Sequence, residues 1–201
     1  MKKLLFICLV SVISLNAQNK KLDAFTKSVE QAANLKYGEA IKTMTDIYQS
    51  YSDDYLVNLR LGWLYYVTKD YKNSEKYYNN AVKISSNAPE PLLGLTLPLS
   101  KEDKWDEIEN IYKTILDKNS HNYTANLRLG QIYLNGKNYL NAKSLFEKIQ
   151  SDSPSDYSAN LYLGWTYYYL GNSSKANYYF TNSLISTPND TSATQGFNLT
   201  K

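Results

Sequence analysis

The segment NLRLGWLYY, from Asn58 to Tyr66, recurs as NLRLGQIYL from Asn126 and as NLYLGWTYY from Asn160, at intervals of 68 and 34 residues. A fixed period of this length constrains the fold more than any composition does. Each unit is too small to bury its own apolar face, so successive units must stack on one another. The same period runs through other positions. Tyr37, Tyr71, Trp105 and Tyr139 lie 34 residues apart, and Ser173 breaks the series. Seven residues after each stand Met44, Tyr78, Tyr112, Phe146 and Phe180, with Ala40, Ser74, Ile108, Ala142 and Ala176 between. Pro154 and Pro188 close two units, where Ser52, Ser86 and Ser120 close the others. Within each half the apolar residues follow i, i+3, i+4, i+7 spacing, which predicts two amphipathic helices per unit. Turn signals such as KDY, GKNY and LGNSS separate them.

This pattern of Leu-Gly, Tyr, Ala, Phe and Pro resembles the tetratricopeptide repeat, a helix-turn-helix unit of about 34 residues. The resemblance spans five units, 21–54, 55–88, 89–122, 123–156 and 157–190, preceded by a short segment 18–20. It implies an all-α, right-handed superhelical solenoid. Residues 191–201 then form a short capping helix or tail, with Phe197 and Leu199 expected over Tyr167 and Phe180. The chain departs from the pattern in two ways. The family's tryptophan near the start of the first helix is replaced by Asn58, Leu92, Asn126 and Asn160, and the first unit has Ser28 in place of the glycine.

Glycine inside a helix costs about 1 kcal/mol relative to alanine, so Gly62, Gly130 and Gly164 need a packing reason. They are expected where the two helices of a unit cross, with Leu61, Leu129, Leu163, Tyr65, Tyr133 and Tyr167 filling the adjacent space. The third unit carries Pro98 within its first helix, where proline removes a backbone hydrogen bond at a cost of about 3 kcal/mol. A kink or early end is therefore expected between Leu93 and Leu99, with a longer turn through SKEDK before Trp105.

The chain begins with Lys2 and Lys3, an apolar run from Leu4 to Leu15, and Asn16-Ala17-Gln18, which together have the features of a secretory signal cleaved after Ala17. The run is shorter than the roughly 20 residues a membrane span requires, so no integral span is expected after cleavage. A retained membrane anchor is the alternative. Cys8 is the one cysteine, and it follows Ile7 rather than a small residue, which makes it a poor lipid-attachment site. Without the signal the chain has no thiol, which excludes thiol catalysis and cysteine-ligated metals. Removing Lys2 and Lys3 from 22 basic residues leaves 20 against 19 acidic ones. That balance makes no case for nucleic acid as a partner. Usage rich in Asn, Lys, Tyr and Ser resembles an AT-rich bacterial genome, and the signal resembles those of the Bacteroidetes. The expected address is periplasmic or secreted. The 20 tyrosines offer apolar rings with wet hydroxyls, suited to an elongated fold.

Candidate chemistry is sparse. His121 lies in a polar turn beside Ser120 and Asn122, without a nucleophile-elbow pattern for a serine triad. Asp53-Asp54 and Glu102-Asp103 fall at expected helix junctions, where acids cap exposed N–H groups, and Asp106, Glu107 and Glu109 fall in a helix's first turns. No metal, cofactor or catalytic set is completed, and a non-enzyme is expected.

Function is then expected on a surface. The family resemblance implies a concave face lined by the first helices, which brings forward Leu59, Arg60, Trp63, Tyr66 and Val67 in the second unit. The third contributes Glu90, Leu93, Gly94, Leu97 and Lys101. From the fourth come Thr124, Leu127, Arg128, Gln131 and Asn135, and from the fifth Leu161, Tyr162, Trp165, Tyr168 and Tyr169. Arg60 and Arg128 are the only arginines and share one repeat position. The groove candidates are Arg60, Trp63, Tyr66, Arg128, Gln131, Tyr162, Trp165 and Tyr169. Aromatic walls with guanidinium groups suit a partner peptide or helix with an acidic or carboxylate end. The alternative ligand is an envelope glycan stacked on the aromatics, with Gln131 and Asn135 as polar partners. The Lys/Asn set that clamps a terminal carboxylate in chaperone-associated relatives is not reproduced.

Overall fold

Apolar spacing, helix-forming composition and N-cap acids make every regular element of the computed structural model an α-helix among the described residues. These are residues 2–85 and 88–201, with side chains from Gln18 onward. The order is α1 Lys2–Ala33, α2 Tyr37–Tyr48, α3 Tyr55–Val67, α4 Tyr71–Ile84, α5 Pro89–Lys101, α6 Trp105–Lys118, α7 Tyr123–Asn135, α8 Tyr139–Asp152, α9 Tyr157–Tyr169, α10 Ser173–Ser186 and α11 Thr191–Leu199. α1 runs without a break through Ala17 into the first repeat. Among the described residues no helix is long and apolar enough to cross a membrane. Ser86, a unit-closing residue in the sequence pattern, lies outside the described residues.

Helix starts repeat one chemistry. Asp54, Asn122, Asp156 and Asp190 accept hydrogen bonds from the N–H of the residue three positions on, at 3.1, 2.9, 2.7 and 2.7 Å. The residue at the first position of one repeat reaches the start of the next. Lys21 pairs with Asp54 at 2.8 Å, the Tyr55 hydroxyl donates to Glu90 at 2.9 Å, and Tyr123 donates to Asp156 at 3.2 Å. The buried asparagines that replace the family's tryptophan fasten the loop before their helix. Asn58 donates to the Ser52 and Asp54 carbonyls, Asn126 to those of Ser120 and Asn122, and Asn160 to those of Pro154 and Asp156.

The turns inside the repeats are equally regular. Leu35, Lys69, Asp103, Lys137 and Gly171, each 34 residues from the last, have φ of 60, 64, 55, 60 and 77°. The pairs α1/α2, α3/α4, α7/α8 and α9/α10 are thus each reversed by one left-handed residue in a three-residue turn.

The chain divides into two compact units, Met1–Lys104 and Trp105–Lys201. In the first, Met44, Ile47, Val57, Leu61, Leu64 and Tyr77 form the core. In the second, Phe146, Ile149, Leu163, Tyr167, Ala176 and Phe180 do so.

Three expectations are corrected. α5 continues through Pro98 to Lys101, and the turn after it is the usual three residues. Leu95, Pro98 and Leu99 are buried, and this packing outweighs the one backbone bond lost. Asp54 caps a helix as expected, but Asp103 occupies the left-handed turn position, and Glu102 ends α5 and pairs with Lys104 at 2.7 Å. At the carboxyl end α11 buries Ala193 and Gly196, with Phe197 partly buried against the same core, whereas Leu199 is exposed. Gly196 packs its backbone against Phe180, where a Cβ would collide with the ring.

Candidate functional site

The site follows from how the second-helix aromatics Tyr78, Phe146 and Phe180 are packed on two sides. On one side of each lies the glycine of its own first helix. A Cβ on Gly62 would stand 2.9 Å from the Tyr78 ring, one on Gly130 2.5 Å from Phe146, and one on Gly164 2.6 Å from Phe180. These glycines therefore sit at the helix crossings. On the other side lies the sixth residue of the next repeat, Gly94, Tyr162 and Gly196 respectively, a position held by Arg60 and Arg128 in the second and fourth repeats. In the second unit the Tyr162 ring covers Phe146, stacked at 5.2 Å and 17°. In the first unit Gly94 meets Tyr78 with no side chain at all.

A cavity of about 370 Å³ lies beside this contact, between α3 and α5, lined by Phe25, Leu56, Leu59, Arg60, Trp63, Tyr78, Glu90 and Gly94. The volume lies at the small end of ligand pockets, which run from about 300 to 1,000 Å³. Arg60 is held there in a fixed pose. Its Nε donates to Ser28 Oγ at 3.1 Å and its Nη2 to the Ser28 carbonyl at 2.8 Å, while the guanidinium lies 4.8 Å from the Trp63 ring centre. Ser28 stands at the glycine position of the first repeat, so that departure from the repeat pattern supplies the acceptor. Burial lowers the Arg60 pKa from its ordinary value. None of its hydrogen bonds goes to a carboxylate among the described residues, and a guanidinium has five N–H donors, so several remain to face the cavity.

The other walls are also defined. Trp63 meets Tyr37 edge-on at 6.3 Å. Tyr78 is buried, its hydroxyl pKa pushed well up by burial first and then by Glu90 and Tyr66. Glu90 is fixed through its bond from Tyr55, and burial, with Glu90 beside it, pushes the Tyr55 hydroxyl up to about 12.

In the second unit the candidates are joined to one another. Exposed Arg128 donates to Gln131 Oε1 at 3.1 Å, and Gln131 Nε2 donates to the Tyr162 hydroxyl at 2.6 Å. Trp165 packs edge-on against Phe180 at 5.1 Å and donates to Ser192 Oγ at 2.9 Å, which ties it to α11. Tyr169 is exposed and stacks on Tyr139 at 5.1 Å.

His121 is exposed and hydrogen-bonds the Asp152 carboxylate at 2.7 Å. Glu109 accepts from Lys113 and Tyr133, which with burial opposing them leave its pKa below the ordinary carboxylate value. Among the described residues no group of three or more His, Cys, Asp or Glu is placed to hold a metal.

Two family models, both of the tetratricopeptide repeat, match residues 26–89 and 124–156. The chain is a tetratricopeptide repeat protein. It is an all-α solenoid of helix-turn-helix repeats, and solved structures share the fold. A tetratricopeptide repeat protein from Parabacteroides merdae superposes with a TM-score of 0.78 at 17% identity, over 90% of this chain and 72% of that one. YrrB, described as a TPR protein with an unusual peptide-binding site, gives 0.70 at 16%, over 87% and 90%. PilW, a type IV pilus biogenesis factor, gives 0.65 at 17%, over 84% and 78%. Comparison with curated proteins returns no match.

Within the first unit of this tetratricopeptide repeat protein, Arg60 and Trp63 come together at the cavity, with Glu90, Gly94 and Leu59 from the same family-based set. Tyr66 does not line it and instead tilts against Tyr71 at 6.2 Å. Arg128, Gln131 and Tyr162 form one polar chain, and Trp165 and Tyr169 one aromatic group. Sequence inspection missed Phe25, Leu56 and Tyr78 as cavity walls and Ser28 as the anchor. The available signal was Gly94 itself, aligned with Tyr162 while Tyr78 aligns with Phe146.

Proposed function

We propose that this protein is an exported, non-catalytic scaffold that holds a peptide or helix of a partner protein against the first helices of its repeats. The observation that carries this reading is the cavity between α3 and α5, where an anchored guanidinium, with no carboxylate partner among the described residues, meets largely apolar walls. Such a combination suits an extended chain, with side chains in pockets and an acid on the arginine. The peptide-binding site named for YrrB is in keeping with it. The signal-like residues 1–17 support an address in the periplasm or outside the cell. The glycan alternative has less support, because Gln131 already serves Arg128 and Tyr162.

The test is selection of short random peptides and of an oligosaccharide panel on the full chain, with an Arg60→Glu variant in parallel. Peptide enrichment that the variant loses supports the scaffold reading. Oligosaccharide binding without peptide binding replaces it with the glycan reading. Fractionation of the producing cell tests the address.

A further inference from the structure

We infer that the cavity between α3 and α5 selects a partner segment in which an acidic residue on Arg60 and a basic residue on Glu90 flank an apolar one. This inference rests on the scaffold reading and adds the charge pattern that the scaffold recognises.

Arg60 and Glu90 carry opposite charges and line one cavity, yet they do not pair with each other. Each is held instead by a neutral group. Arg60 Nε and Nη2 donate to Ser28, with the guanidinium against the Trp63 ring, while Glu90 Oε2 accepts from the Tyr55 hydroxyl at 2.9 Å. Among the described residues neither has an oppositely charged partner. Elsewhere in the same unit charges brought together from different helices do pair, Lys21 with Asp54 at 2.8 Å and Lys104 with Glu75 at 3.0 Å. At the cavity, Arg60 keeps N–H donors and Glu90 keeps Oε1 as an acceptor. A segment with both charges satisfies both groups as charge-assisted pairs. A segment with acids alone is attracted by Arg60 and repelled by Glu90.

The apolar contact comes from the α1 and α3 walls. Tyr78 offers no face, because the Gly62 and Gly94 backbones pack against its ring so closely that a Cβ on either would collide with it. Leu56 is half exposed, and Phe25, Leu59 and Trp63, which line the same cavity, are partly buried. An apolar side chain between the two charged ones rests on these residues. Its burial supplies affinity, and the charges supply selectivity. The second unit lacks this combination: Ser158 stands at the repeat position of Glu90, and Arg128 donates to Gln131.

Selection of short random peptides on the full chain, followed by calorimetric titration of the enriched sequences, tests the charge pattern. Enriched peptides should carry both an acid and a base, and replacing either with alanine should weaken binding about tenfold, or about 1.4 kcal/mol. Glu90→Gln keeps an acceptor for Tyr55 and should remove the enrichment of the base while the acid stays enriched. Arg60→Gln should do the reverse. Circular dichroism melts show whether each variant is folded, and if Arg60→Gln is not, the Glu90→Gln comparison at an exposed residue still decides. Peptides enriched in acids without a base, or a base enrichment that survives Glu90→Gln, overturn the charge-pair inference and leave the scaffold reading standing. Failure to enrich any peptide overturns both.

Discussion

At the scale of single residues, Asn58, Asn126 and Asn160 fasten the loop before each of their helices. Each is buried and uses both amide hydrogens to hold carbonyls of the preceding loop. Asn58→Ala leaves those acceptors without their donor, a loss of about 1–3 kcal/mol, readable as a lower denaturation midpoint at unchanged slope. Glycines separate into two kinds. Gly130→Ala forces a Cβ to 2.5 Å from Phe146, an overpacking cost of about 1–3 kcal/mol. Gly38 has open space around it, so Gly38→Ala should gain up to about 1 kcal/mol from helix propensity. Equal effects in urea melts would mean that the crossing distances are not what makes glycine necessary. Asp54 offers a pH test. Burial raises its pKa, but Lys21 and the Val57 and Leu56 N–H groups outweigh that and leave it below the ordinary 3.8. Its contribution is present above the unfolded value and is lost as pH falls through the depressed one. The stability gap between wild type and Asp54→Asn should therefore be largest near neutrality and shrink below about pH 4.

At the scale of elements, the left-handed turn residue at Leu35, Lys69, Lys137 and Gly171 reverses the helix pairs α1/α2, α3/α4, α7/α8 and α9/α10. A residue with a Cβ pays about 1–2 kcal/mol for that conformation, so Lys69→Gly and Lys137→Gly should each stabilise by about 0.5–1 kcal/mol once the entropy of the unfolded glycine is included. Gly171→Ala should destabilise by a similar amount, and three thermal melts compare them. The helix pairs themselves were legible from apolar spacing and the 34-residue period, because those patterns report directly on which face is buried. Pro98 was misjudged for a physical reason: a local backbone penalty was weighed without the burial of Leu95, Pro98 and Leu99 that opposes it. Among site residues, Arg60 and Trp63 were found from their repeat positions. Tyr78 was not recognised as a wall, because a cavity depends on how helices of adjacent repeats approach one another, which no single repeat displays.

At the scale of the whole molecule, each compact unit has its own core, and the two tryptophans singled out from sequence belong to different kinds of structure. Trp165→Ala removes the packing on Phe180 and the bond to Ser192, and should cost stability toward the lower end of about 3–5 kcal/mol. Ending the chain at Asp190 exposes the same Phe180 ring, which Gly196 otherwise covers, and should lower the melting temperature as well. Trp63→Ala should impair peptide binding more than it impairs folding, and calorimetric melts beside titrations distinguish the two outcomes. The run Arg60, Gly94, Arg128, Tyr162, Gly196 has a consequence for descent. Since Gly94 and Gly196 bring the backbone itself against Tyr78 and Phe180 while Tyr162 lays a ring on Phe146, a single codon change at this position can reset how closely neighbouring helices approach and what surface they present. Specificity in such a chain can drift by point mutation while the period, and with it the scaffold, stays the same.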